Sequence, residues 1–405
     1  MSTTHPYEPQ IGDRSLFPTL DIKAYLNHSA ISPFSLPVQE RLRAFADDYA
    51  KRGINAFFDW RAEIDALRDK LARLIGAAGP GDIALMPNTT AGVSAVAMCL
   101  PWQKGQKVVV FEGEFPTNVT PWQRAGALYD LEVVSLPVSD YAGAEGHAPG
   151  LERLEGVLKA GGVRLVAVSM VQFHTGLAMP VAQMAKLCHE HGAELFVDAI
   201  QGVGIVPTDV VRDGIDYLAC GSHKWLMGPE GAGFLYAAPG LAAHFRPHLA
   251  GWLSHEEPFR FLVEGEGHLR YDRPIRPEVG FLEAGTVNAM GLCGLSASLD
   301  LLLALGSEAI FEHNGAYLQA LEQALVARGF ESLRASDAQG RSGILSVLPP
   351  QGVSAVMLWE ELGKRSVSCS VPDGKLRFAP HWANALSEVE FVMGHVDELL
   401  AAARS

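Results

Sequence analysis

The sequence is poor in positive charge. It has 32 Lys and Arg against 46 Asp and Glu, for a formal net charge of −14. A nucleic acid or an anionic membrane surface selects a basic face, so neither is expected as a partner. A small anionic ligand is not excluded, because one pocket can be positive on an acidic protein. Cysteine is also scarce. Cys99, Cys188, Cys220, Cys293 and Cys369 are far apart, odd in number, and form no CxxC pair. A disulfide framework or a zinc site is therefore not expected, and a reducing, cytoplasmic setting fits. No apolar run reaches the length of a membrane span; the most apolar helix-like stretch, 295–305, contains Asp300. The opening MSTTHPYEPQIGDRS lacks a basic segment followed by an apolar one, so no signal peptide is read. Internal repeats and low-complexity segments are missing too. So is GxGxxG after the first strand, which argues against a nucleotide-binding oxidoreductase; GluGlyGluPhe at 112–115 does not supply it.

What is present is an ordinary globular composition, 48% hydrophobic and 19% charged over 405 residues. Short apolar runs at 107–111, 131–138, 163–171, 194–197, 215–219 and 233–236 read as buried strands. Amphipathic helices alternate with them; the one at 181–191 stops at Gly192. Such alternation implies parallel βαβ units in a sheet covered on both faces. Residues 240–279 are less regular and suit long loops walling a site. An apolar helix begins near Asn288. Strands at 343–348, 366–371 and 376–378 and a closing helix from Ser387 then make a smaller α+β unit. The expected division is an N-terminal segment at 1–25, a large α/β domain at 26–285, and a small C-terminal domain at 286–405.

The chemistry starts at Lys224, in SerHisLysTrp at 222–225, just past a buried strand. Ligands of open α/β sheets bind at the carboxyl ends of strands. A lysine desolvated there loses basicity and becomes a nucleophile. Asp198 ends the strand at 194–197 and faces the same rim. A carboxylate there can pair with the pyridinium nitrogen of pyridoxal 5′-phosphate (PLP) and keep the ring an electron sink. Gln201 is placed to reach the ring's phenolate oxygen. The stretch ProAsnThrThrAlaGly at 87–92 opens an Ala-rich helix that Thr89 or Thr90 can cap, and its free N–H groups suit a phosphate. His189 and His191 lie two apart on a helix and point to different faces, so they are not read as metal ligands.

Six motifs occur in order: TyrLeuAsnHisSer at 25–29, AsnThrThrAlaGly at 88–92, GluPheProThrAsn at 114–118, ValAspAlaIleGlnGly at 197–202, SerHisLysTrp at 222–225 and GluAlaGlyThrValAsn at 283–288. Together they resemble the class V aminotransferases. These belong to the fold-type I PLP superfamily, with cysteine desulfurases, isopenicillin N epimerase and kynureninase. The resemblance covers nearly the whole chain. It implies a large domain with a mainly parallel seven-stranded sheet and a homodimer with shared sites. It implies that Lys224 carries PLP as a Schiff base and moves the substrate's α-proton. Asp198 would hold the pyridinium, Thr90 and Ala91 the phosphate, and His223 a further contact. Gly221 stands where many relatives carry Ser or Thr, and Ser222 is the expected replacement. Phe115 matches the position that stacks on the cofactor ring. Thr286 would reach the phosphate in the neighbouring subunit. Arg377 matches the clamp on the substrate α-carboxylate, and Asn27 and His28 are expected in the substrate pocket.

The motifs imply an amino-acid substrate and removal of its α-proton. They resemble epimerase-like and C–S-lyase-like members most, so β-elimination, epimerisation and transamination all stay open. A cysteine desulfurase is the alternative, and Cys369 is its only candidate nucleophile. Cys369 lies on an alternating strand pattern, and Phe173 stands where desulfurases usually have a substrate-binding Asn. A catalytically inactive binding module is the rival of another class.

Overall fold

In the computed structural model, residues 7–143 and 145–404 are described. In chain order the strands are β1 (Ala24–Tyr25), β2 (Ile83–Met86), β3 (Lys107–Phe111), β4 (Glu132–Leu136), β5 (Val163–Ser169), β6 (Glu194–Asp198), β7 (Tyr217–Gly221), β8 (Gly233–Ala237), β9 (Glu331–Ser332), β10 (Leu345–Leu348), β11 (Val367–Ser368) and β12 (Leu376–Phe378). The main sheet has seven strands in the order β2-β8-β7-β6-β5-β3-β4. It is parallel except for β8, which runs antiparallel to both of its neighbours. The chain is therefore α/β with a mainly parallel seven-stranded sheet, as the motifs implied.

Period-2 side chains of these strands feed two separate cores. Val109, Phe111, Val166, Val168, Leu195 and Val197 face the helices Phe57–Ile75, Val181–Glu190 and Ala289–Leu305. Their neighbours Val108, Val110, Leu165, Ala167, Phe196 and Ala219 face the helices Thr89–Cys99 and Thr120–Tyr129. Burial on both faces explains why these strands are continuous apolar runs. A third core joins Leu26, Leu318, Leu345, Leu358, Phe378 and Val396. There β10 pairs antiparallel with β9 and β12, and β1 pairs parallel with β11.

The stretch expected as a strand at 366–371 is shorter in the structure. Only Val367–Ser368 forms a strand. Ser366 sits at positive φ before it and Pro372 opens a 3-10 turn after it, so the ladder cannot extend either way. Among the described residues no single helix is long and apolar enough to cross a membrane. The apolar helix Ala289–Leu305 is instead packed within a core, between the helices Leu36–Arg52 and Phe57–Ile75.

Candidate active site

Two strand ends and one helix start converge near Lys224. β6 ends at Asp198 and β7 at Gly221, in parallel register with Asp198 opposite Ala219. The helix Thr89–Cys99 comes close because Gly92 has no side chain; a Cβ there would stand 2.8 Å from the Cβ of Ala219. That approach lets the Thr89 hydroxyl accept the Gly221 N–H at 2.9 Å. Thr89 is thus tied into the sheet, while Thr90 at the helix start is exposed and bonds Thr117 across 2.8 Å. The cap differs from expectation. Asn88, not a threonine, accepts the Ala91 N–H at 2.9 Å. An Asn carbonyl reaches N3 well, and it leaves the Ala91 N–H already engaged.

Lys224 is partly exposed, and its Nζ lies 5.7 Å from the centre of the Phe115 ring. Burial lowers its pKa to about 8, against an opposing pull from Asp198. Asp198 is 3% exposed. Burial raises its pKa to about 6, although it accepts the Ile200 N–H at 3.1 Å. This is a buried acid with one backbone donor and no cationic hydrogen-bond partner. Its unsatisfied capacity fits a protonated ring nitrogen. The exposed Thr90 at the helix start and the exposed Phe115 ring near Lys224 are groups suited to a phosphate and to the face of a ring.

Arg377 is 5% exposed in β12. It donates from one terminal nitrogen to the Phe173 carbonyl at 2.6 Å and from Nε to the Ser370 hydroxyl at 3.0 Å. Burial lowers its pKa to about 10, so it stays charged near neutrality. Lys224 feels its charge. A fixed guanidinium beside an activated amine is a site for an α-amino acid.

Several expected contacts take other forms. The Ser222 hydroxyl is buried and donates to the Pro229 carbonyl, so it does not stand in for the side chain missing at Gly221. Gln201 is buried, accepting from Trp225 Nε1 at 2.9 Å and donating to the Ser29 carbonyl at 3.0 Å. One amide proton remains for any cofactor oxygen. His28 lines a small cavity of about 20 Å3 with Arg14, Tyr25 and Glu388, to which Lys224 does not contribute. It is 3% exposed, stacks on Trp225, and bonds the Ser32 hydroxyl at 2.7 Å. That hydroxyl donates to the Lys224 carbonyl at 2.6 Å. From there His28 braces the lysine-bearing loop. Asn27 is half-buried, its Oδ1 unpartnered, and its backbone bridges Ala379 just past β12. His223 borders a shallow pocket with Ser32 and Glu230, and burial keeps its imidazole pKa low. Thr286 lines a cavity of about 180 Å3 with Met86, Pro87 and Gly231. It also lines a cavity of about 700 Å3 walled by Phe45, Phe57, Trp60 and Trp252.

Sequence reasoning gave no role to Glu114, although it lies within a quoted motif. Its carboxylate accepts the Ser169 N–H at 2.6 Å and the Gln172 amide at 3.2 Å, and the Ser169 hydroxyl as well. Ser169 is opposite Asp198 in the sheet. Burial first, and the charge of Asp198 among lesser causes, raises the Glu114 pKa to about 7. The one available signal was a charged residue between an apolar strand and a Pro turn. His189, by contrast, is structural: it bonds Asp216 at 2.9 Å.

The family model for class-V aminotransferases matches residues 24–371. The chain belongs to that family and is a PLP-dependent enzyme, a lyase or a transferase. It is similar to the uncharacterized aminotransferase YcbU of Bacillus subtilis, at 27% identity over 391 residues, 96% of each chain. It is 31% identical over 299 residues to a cysteine desulfurase of Dickeya dadantii, covering 72% of this chain and 69% of that one. Its fold matches the crystal structure of the cysteine desulfurase CsdA from Escherichia coli with a TM-score of 0.80 at 25% identity, over 93% of this chain and 94% of the other. These relatives favour a cysteine desulfurase, the expected alternative, over the epimerase-like reading.

Proposed function

We propose that the enzyme cleaves the carbon–sulfur bond of a cysteine-type amino acid by β-elimination. The sulfur substrate follows the relatives; the elimination route rests on the cysteines. All five are buried. Cys369 is 2% exposed, sits in the apolar core with Leu358 and Phe378, and its pKa is pushed to about 12 by burial. A persulfide-forming nucleophile must be an exposed thiolate, and burial denies Cys369 both properties. Lys224 and Arg377 suffice for elimination.

In this reading Arg377 binds the α-carboxylate and fixes the amino group toward Lys224. PLP, when bound, withdraws electrons from Cα. The neutral Nζ of Lys224 takes the Cα proton, and its depressed pKa suits that work near neutral pH. The Cα electrons form the new double bond as the sulfur leaves with the Cβ–S pair. Asp198 would hold the proton on the ring nitrogen, Thr90 would hold the phosphate, and Phe115 would cover the ring face. With cysteine and one water, which hydrolyses the released enamine's imine form, the products are pyruvate, ammonia and hydrogen sulfide.

Desulfurase chemistry is the second reading, favoured by the relatives' activity. It yields alanine and protein-bound sulfur instead. Replacing Cys369 with Ser is expected to leave turnover within about threefold, since a buried thiol-to-hydroxyl change affects packing rather than chemistry. Pyruvate and alanine are quantified in the same reaction. Alanine as the product, with sulfur release abolished in C369S, establishes the desulfurase instead.

The site reading includes a homodimer. Ile54, Phe58, Leu262 and Val263 are each at least 60% exposed around the large cavity. So large an apolar patch supports a self-association surface, and it would bring Thr286 to a neighbouring site. Sedimentation is expected to give twice the chain mass, and Phe58→Glu to shift it to one; a monomeric wild type refutes the arrangement.

A further inference from the structure

Resting on that reading, the geometry points to Phe173 as the residue that selects the substrate's side chain, and to cysteine conjugates with an apolar group on sulfur as the substrate class. The two ends of the substrate are fixed by charge: the carboxylate at Arg377 and the amino group toward Lys224. Phe173 lies between these anchors. Its carbonyl accepts from Arg377 at 2.6 Å. Its ring meets Phe115 edge-to-face, with centroids 5.4 Å apart at 84°, and the Phe115 ring is 5.7 Å from Lys224 Nζ. The two rings form a corner of carbon that offers no hydrogen-bond donor or acceptor. Phe115 is 47% exposed and would lie against the cofactor ring, so the side of the corner left for a sulfur substituent is the partly exposed Phe173 ring. The adjacent polar ring, His174, packs on Phe173 at 5.1 Å and against Gly113, and burial lowers its pKa, so it brings no positive charge.

A bare thiol leaves such a corner wet. An S-alkyl or S-aryl group fills it, and the released thiol departs with its substituent. One added methylene in a hydrophobic pocket discriminates by about 10–200-fold. The bond to Arg377 uses the Phe173 backbone, so trimming the side chain leaves the carboxylate clamp in place.

The test compares S-benzylcysteine with cysteine on the PLP-loaded enzyme. Two readouts are taken: kcat/KM for pyruvate, and the dissociation constant from the ligand-induced shift of the visible band. The wild type is expected to favour S-benzylcysteine by at least about tenfold in both. Phe173→Ala should bring both ratios near one, and Phe173→Leu should keep an intermediate preference. A wild type that prefers cysteine, or an unchanged binding ratio in F173A, overturns the assignment. If no pyruvate forms but the binding ratio behaves as expected, elimination fails and the role of Phe173 stands. If pyruvate forms while the binding ratio ignores Phe173, elimination stands and the role of Phe173 fails.

Discussion

Lys224→Ala should abolish the visible band of lysine-bound PLP and lower turnover by about 10²–10⁴-fold, the usual worth of a positioned proton-transfer group. The amine has no understudy among the residues of the site. Arg377, whose charge it feels, is held in two hydrogen bonds and stays protonated. His223 carries a lowered pKa and lines the shallow pocket beside Ser32. His28 is buried beneath the loop. Borohydride reduction followed by peptide mapping reads the attachment directly. A Lys224→Ala protein that still yields a reduced, covalently linked cofactor contradicts the assignment, whatever its activity. The pH profile adds a second reading. The Lys224 pKa near 8 means that the neutral amine is gained as pH rises through that value. A rise between about pH 7 and 9 in the rate at which the cofactor-free protein condenses with PLP is the corresponding expectation, because in the loaded resting enzyme this nitrogen is engaged in the Schiff base.

Much of this site was legible because its residues sit at ends of regular elements. Strand periodicity places Asp198 at the tip of β6, and a strand tip fixes direction as well as position. The Gly-rich turn places Lys224 on the same rim for the same reason. What the pattern did not carry is side-chain hydrogen bonding. Ser222 reads like a phosphate ligand, yet the turn at 228–231 puts the Pro229 carbonyl within its reach. His28 stands in a motif beside Asn27, and successive positions alternate faces, so one of the pair goes under the loop. Glu114 becomes meaningful only when β5 brings Ser169 beside it from 55 positions away. Cys369 is buried, as the alternation suggested, in the same core as Val367 and Leu376, although it lies one residue past the end of β11. The shortening of that strand was invisible, because it depends on the positive φ at Ser366.

Asp198→Asn is expected to move activity and apo-protein stability in opposite directions. The carboxylate is buried, and its pKa rises from an ordinary 3.8 to about 6. A raised acid pKa means that the folded chain binds more protons than the unfolded one between these values. Stability therefore falls as pH rises from about 4 to about 6, and the full cost persists above that. The displacement corresponds to roughly 3 kcal/mol. Asn is isosteric and neutral, and it can keep the bond from the Ile200 N–H. The cofactor-free D198N protein should then melt above the wild type at pH 8, with the two converging near pH 4. Turnover should instead drop by roughly 10²–10³-fold, because an amide cannot supply the charge that a protonated ring nitrogen requires; losing one partner of a buried ion pair costs about 3–5 kcal/mol. A group that destabilises the empty protein and is needed by the loaded one is retained for function. If apo D198N melts below the wild type at pH 8, Asp198 is a structural cap rather than a cofactor ligand. If turnover survives, the ring nitrogen finds its proton elsewhere, and the buried Glu114 beside Ser169 is the next residue to replace.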